Sequence, residues 1–139
     1  MEGLLFYPVL TLVALTLGIG YWLGRQRWLA VARGDLSVEF YELNRGGEMP
    51  DYLRKVHRNY NNLLELPLLF YVGTGWAFAA QAVDPLMLGV AWAFVATRVV
   101  HSAIHITYND VRHRSLAFLL GVAFLTVLWL DLVVQLARP

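Results

Sequence analysis

Four apolar runs, each close to the length of a bilayer crossing, decide most of what this chain can fold into. The first goes from Leu4 to Gly24, bounded by Glu2 and Arg25. The second is apolar from about Leu63 to Val83 and continues a polar helix that starts near Pro50. The third goes from Leu86 to about Ile106, and the fourth from Ser115 to Ala137. A helix needs roughly 20 apolar residues to cross a membrane. Lipid offers the backbone no hydrogen-bond partner, so runs this long are helices. A transmembrane β-barrel needs alternating polarity, which these runs lack. Composition agrees: 58% of the 139 residues are hydrophobic and mean hydropathy is +0.52, whereas apolar usage in soluble domains is about 45–50%. The expectation is an all-α integral membrane protein. It has one domain, residues 1–139, forming a four-transmembrane-helix bundle with spans at about 4–24, 51–83, 86–107 and 115–137.

The first run begins Met-Glu-Gly, without a basic leader, and is longer than the apolar part of a secretory signal, so it reads as a retained span. Basic residues set the orientation. Arg25, Arg27, Arg33, Arg45, Arg54, Lys55 and Arg58 lie between or beside the first two spans, and Arg112 and Arg114 lie between the last two. The opposite side has only Arg138. The basic side is cytoplasmic by the positive-inside rule, which places both termini on the other side. Tyr21, Trp22, Trp28 and Tyr108 sit where an aromatic belt belongs. The connection from Arg25 to Pro50 is broken by Gly34, Gly46, Gly47 and Pro50 and reads as a surface loop with room for a short helix. A net charge of +1 gives no field for nucleic acid. The lack of cysteine excludes disulfides, thiolate metal sites and a cysteine nucleophile.

The informative residues are polar ones at membrane depth. Arg54, Arg58, Asn61 and Glu65 recur at steps of four, three and four, so one helix face carries them, flanked by His57 and Asn62. Solvated charges and snorkelling explain Lys55 and Arg54. Glu65, set among Leu63, Leu64, Leu66 and Pro67, needs a partner or a polar cavity. In the third run, Arg98, His101 and His105 share a face with Ser102 and Asn109. An arginine inside an apolar helix is expensive unless paired, and Glu65 is its obvious partner. A structural Arg98–Glu65 pair therefore stands beside the functional reading. Histidines at i and i+4 can chelate, but a metal site takes three or four ligands, and none is expected here. Asp131, near Gln135 at the other end of the fourth run, suits an interfacial carboxylate or an intersubunit hydrogen bond. A bundle open at its cytoplasmic end would gather Arg25 and Arg27, the Arg54-to-Glu65 stripe, and Arg98 to Ser115 into a basic pocket. Such a pocket fits a water-soluble anionic ligand with carboxylates and an amine, while gaps between helices admit an apolar one.

These residues resemble the MAPEG family, the membrane-associated proteins in eicosanoid and glutathione metabolism. Its second-helix pattern is matched by Arg54, His57, Arg58, Asn59, Glu65, Pro67 and Phe70. Its Arg-x-Arg at the end of the first helix is matched by Arg25 and Arg27. Its third-helix pattern is matched by Arg98, His101 and Ser102, and its fourth-helix Arg-Ser pair by Arg114 and Ser115. The stretch "NNLLELPLLFY" looks like the small bacterial members.

The resemblance implies a homotrimer in the bacterial inner membrane, with glutathione bound as co-substrate between subunits near the cytoplasmic face. Arg25, Arg54, Arg58, Asn59 or Asn62, Glu65, Arg98, His101 and His105 would then hold it. Arg114, with Ser115, would stabilise the thiolate, because a fixed positive charge lowers a thiol's pKa from about 8.5. The implied activity is a glutathione-dependent transferase or peroxidase acting on lipophilic electrophiles or lipid hydroperoxides. The alternative is a non-catalytic member, either a lipid-binding scaffold or a complex subunit. Three departures stand out. Asn59 is six residues from Glu65, where the family spaces the pair by three. His105 and Phe118 stand where lipid-transforming relatives have tyrosines.

Overall fold

The computed structural model describes residues 1–45 and 47–137. Gly46, named above as a loop breaker, and Arg138, the lone basic residue of the far side, lie outside the described residues. The chain forms α1 (Glu2–Ala32), α2 (Val38–Leu43), α3 (Asp51–Ala79), α4 (Pro85–Ile106) and α5 (Val111–Ala137). At 1.5 Å per residue the four long helices measure about 46, 43, 33 and 40 Å, each beyond the ~30 Å of a hydrocarbon core. Of these, α1, α4 and α5 are long and apolar enough to cross a membrane. The charged first turns of α3 set it apart.

Boundaries depart from the sequence expectation in a consistent way. α1 passes Gly24 and ends at Ala32, and α5 starts at Val111, ahead of Ser115. A helix does not stop where its apolar run stops, because its backbone bonds are as good in water. It stops where a cap or breaker intervenes. Arg33 and Gly34 end α1, the latter at φ +78°. Asp110 starts α5, its Oδ1 accepting from the backbone N–H groups of Arg112 and His113 at 2.8 and 3.1 Å. Those bonds, the His113 one first, hold its carboxyl below the usual value. α3 ends at Ala79, short of Val83, and Asp84 caps α4 through the Met87 N–H, with Pro85 in the first turn. The predicted loop contains α2, capped by Ser37.

The long helices alternate in direction. At one end, Arg27 of α1 meets His57 of α3, and Tyr52 of α3 donates to Asp35 just past α1. Lys55 of α3 donates to the Thr107 carbonyl at the end of α4. At the other end, the Gln135 amide of α5 donates to the Asp84 carboxylate before α4. Leu5 and Phe6 of α1 share an apolar groove there with Thr74 and Phe78 of α3.

Packing follows the periodicity of α3. Leu53, Val56, Asn59, Leu63, Pro67, Phe70 and Ala77 are buried, at the three-and-four spacing of one helix face. Phe70 stacks on Phe94 of α4 with centroids 4.8 Å apart. The opposite face of α3 is exposed. So are Leu17, Tyr21, Trp28, Tyr108, Leu119 and Leu130 on other elements, while Trp22 is half-buried. α4 and α5 approach so closely at Gly121 that a Cβ there would run into the Arg98 guanidinium, and into Thr97 Oγ1 at 2.8 Å. Small residues at helix contacts allow this kind of approach. Gly121→Ala should therefore lower stability by about 1–3 kcal/mol, read as a drop in Tm of the detergent-solubilised protein. An unchanged Tm would show that the Arg98 side chain has room to move aside.

Candidate functional site

Polar chemistry collects where α3 begins and α4 turns into α5. Asn109 makes the turn at φ +53°, a left-handed conformation that asparagine tolerates, and its N–H donates to the Ile104 carbonyl at 2.8 Å. The turn brings the first residues of α5 back over the last two turns of α4. Two hollows open there. One, of about 420 Å³, is lined by Arg58, Asn62, His101, Arg114, Ser115, Phe118 and Leu119. The other, of about 290 Å³, is lined by Asp51, Arg54, Lys55, Arg58, His105, Asn109 and Arg114. Arg58 and Arg114 belong to both walls, so the hollows adjoin.

Arg114 is held from outside its own helix. Its Nη1 donates to Asn109 Oδ1 at 2.8 Å and lies 3.3 Å from His105 Nε2. An arginine nitrogen only donates, so this His105 nitrogen is the lone-pair acceptor and the ring proton sits on Nδ1. His101 Nδ1 lies 3.0 Å from the Arg114 carbonyl, which only accepts, so His101 carries its proton on Nδ1. Both histidines are buried, with rings edge-on at 5.7 Å. Read from the sequence, Asn109 shares the helix face of Arg98, His101, Ser102 and His105, whereas it lies beyond the end of α4 in the turn. Its bond to Arg114 depends on a left-handed turn that helical periodicity does not encode. An Asn-Asp pair at a helix junction is the signal that points to such a turn.

Deeper in, Arg98 departs from the pairing read from the sequence. It is 1% exposed, yet no ion pair joins it to Glu65 among the described residues. Its Nη2 donates to the carbonyls of Ala117 and Phe118 on α5 at 3.0 and 3.3 Å. Its guanidinium lies between the rings of Phe94 and Phe118, 5.5 and 5.3 Å from their centroids. Gly121 makes the room that draws Arg98 toward α5. Glu65 instead lies on the exposed face of α3, between Leu64 and Leu68. The stripe of Arg54, Arg58, Asn61 and Glu65 does share one face, but that face is exposed. Only its first two members line a hollow.

The remaining candidates divide. Asn62 lines the larger hollow while donating to the Arg58 carbonyl at 2.9 Å. Asn59 is fully buried and donates to Ser102 Oγ at 2.6 Å, a tie between α3 and α4. Arg25 is exposed near the end of α1 and lines neither hollow. Arg27 is committed to His57, at 3.0 Å, and to the face of Tyr41. No group of three or more metal-ligating side chains occurs among the described residues.

An all-helical bundle with helices long and apolar enough to cross a membrane, and with basic and histidine side chains gathered at one end, defines a membrane protein. The MAPEG family model matches residues 5–134, nearly the whole chain, and the chain belongs to that family. No curated protein and no solved structure matches it. The interior tie gives a test independent of function. Asn59→Ala should destabilise the fold by about 1–3 kcal/mol, the cost of losing a buried hydrogen bond and stranding Ser102. Restoring much of that loss in the Asn59→Ala/Ser102→Ala double variant, measured by thermal unfolding, would confirm the pair. Additive losses would refute it.

Proposed function

We propose that this protein is a glutathione-dependent transferase or peroxidase acting on lipophilic electrophiles or lipid hydroperoxides. The observation that carries this reading is Arg114, fixed by its neighbours between two hollows of opposite use. The hollow of Arg54, Lys55 and Arg58 is basic and suits the carboxylates of a small anionic thiol. The hollow of Ser115, Phe118 and Leu119 is partly apolar. One helical turn deeper it is followed by an apolar groove between α3 and α5, lined by Leu66, Leu69, Val122, Thr126 and Trp129. A thiol held from the water side and an electrophile arriving from the lipid side would meet at Arg114. Fixed positive charge there favours the thiolate, and the thiol proton leaves to water. The sulfur electron pair then forms the new bond to the electrophile, whose leaving group departs with its own pair. With a hydroperoxide, the thiolate sulfur takes the terminal OH as the O–O bond breaks, and the departing alkoxide takes a proton from water and leaves as the alcohol; a second thiol then reduces the sulfenic acid to disulfide and water. Holding both reactants supplies proximity as well as activation.

The assembly completes this proposal. α3, about 43 Å long, serves as the fourth crossing, with its charged first turns at the cytoplasmic surface and both chain termini on the far side. Arg25 and Glu65, exposed on the single chain, would contribute to glutathione binding across the interfaces of a homotrimer in the bacterial inner membrane. A carboxylate on a lipid-depth surface is costly and gains a partner only through assembly.

A second reading has its own support. Arg98 and Asn59 are spent on contacts inside the bundle, as they would be in a non-catalytic lipid-binding scaffold or complex subunit. Turnover separates the two. Arg114→Ala should lower glutathione conjugation of a chloronitroaromatic electrophile by about 10- to 100-fold, with oligomeric mass unchanged by native mass spectrometry. Unchanged turnover would remove Arg114 from the mechanism. Failure of the wild-type protein to bind glutathione at millimolar concentration would favour the scaffold.

A further inference from the structure

Arg114 enters the proposed chemistry as a fixed charge, and the question is what fixes it. It stands at the start of α5 with a long side chain beside open space, where a free arginine would sample many rotamers. Its Nη1 instead has two acceptors, and both come from beyond α5. Asn109 Oδ1 reaches it from the turn and His105 Nε2 from α4. The backbone at Arg114 is held separately, by His101 through its carbonyl and by its N–H donating to the Asp110 carbonyl at 3.1 Å. The surroundings matter for the charge. Arg54, Lys55, Arg58 and Asp51 face the shared hollow from α3, and His105 faces it from α4. Asp51 lies 3.5 Å from Arg54. Neither Asn109 nor the neutral His105 ring cancels the Arg114 charge, so both orient the guanidinium and leave its field intact.

We propose that Asn109, together with His105, is a positioning residue that aims the Arg114 guanidinium at the bound thiol. The inference rests on the thiolate-stabilising role of Arg114 given above. A neutral acceptor is the required type here. A carboxylate at residue 109 would hold the same nitrogen more tightly but would offset the charge on which thiolate formation depends. The left-handed backbone adds a second constraint, satisfied by asparagine, aspartate and glycine and by few other residues. That constraint makes the substitutions clean, because Asn109→Asp and Asn109→Gly both keep the turn.

The test is the pH midpoint of thiolate formation, followed by ultraviolet absorbance of glutathione bound to the purified full-length protein, alongside conjugation turnover. Asn109→Asp should move the midpoint upward by about one pH unit, the size of a nearby like charge. Asn109→Gly, which removes one of the two acceptors of the guanidinium, should also raise it and lower turnover about threefold or more. Tm should stay near wild type in both. A residue that only shaped the turn would leave the Asn109→Gly midpoint in place, so a wild-type midpoint in that variant would overturn the proposal. Arg114→Ala separates the two levels of the argument. If it raises the midpoint while Asn109→Gly does not, Arg114 keeps its role and Asn109 loses the one assigned here. If it leaves the midpoint unmoved, the role of Arg114 falls first and the Asn109 proposal with it.

Discussion

The buried Arg98 guanidinium is the interaction on which the rest of the bundle depends. A charge in an apolar interior demands compensation, and the usual answer is a carboxylate. Here the compensation comes from backbone carbonyls and ring faces. Two α5 carbonyls accept from it, and Phe94 and Phe118 flank it. That solution works only where α5 is bare, which makes Gly121 the other half of the interaction. It sets how closely α4 and α5 approach, and hence where the turn between them places Arg114.

From that anchor the site follows by short steps. The same face of α4 that carries Arg98 carries His101 and His105 at its last two turns, and each bonds to Arg114 through a different atom. α3 adds Arg54, Lys55 and Arg58 from its first two turns, ahead of its apolar run. The polar ends of three helices thus meet at one end of the bundle.

Much of this was legible in the sequence. The long helices follow from run length, and the grouping of Arg98, His101 and His105 from helical spacing. The polar stripe on α3 was also legible, but the direction it faces was not. Periodicity shows that Arg58 and Glu65 share a face. The buried positions Leu53, Val56, Leu63 and Phe70 show that this face is turned outward. The wrong pairing of Arg98 with Glu65 came from treating opposite charges as the only remedy for a buried cation. Backbone carbonyls and aromatic faces carry no charge label, so the sequence offers no mark of them. Asn109 stayed obscure for a related reason: its role is set by backbone handedness at a turn.

The α4–α5 junction also bears on how the chain is connected around its buried charge. These helices are joined across Thr107–Asp110, whereas α1 and α3 are joined through residues 33–50. Closing a short connection costs less chain entropy than closing a long one. The α4–α5 hairpin therefore closes at little cost, as α3–α4 does across residues 80–84, and it contains both carbonyls and both rings around Arg98. The buried arginine is thus lodged within one hairpin, against the helix that follows its own.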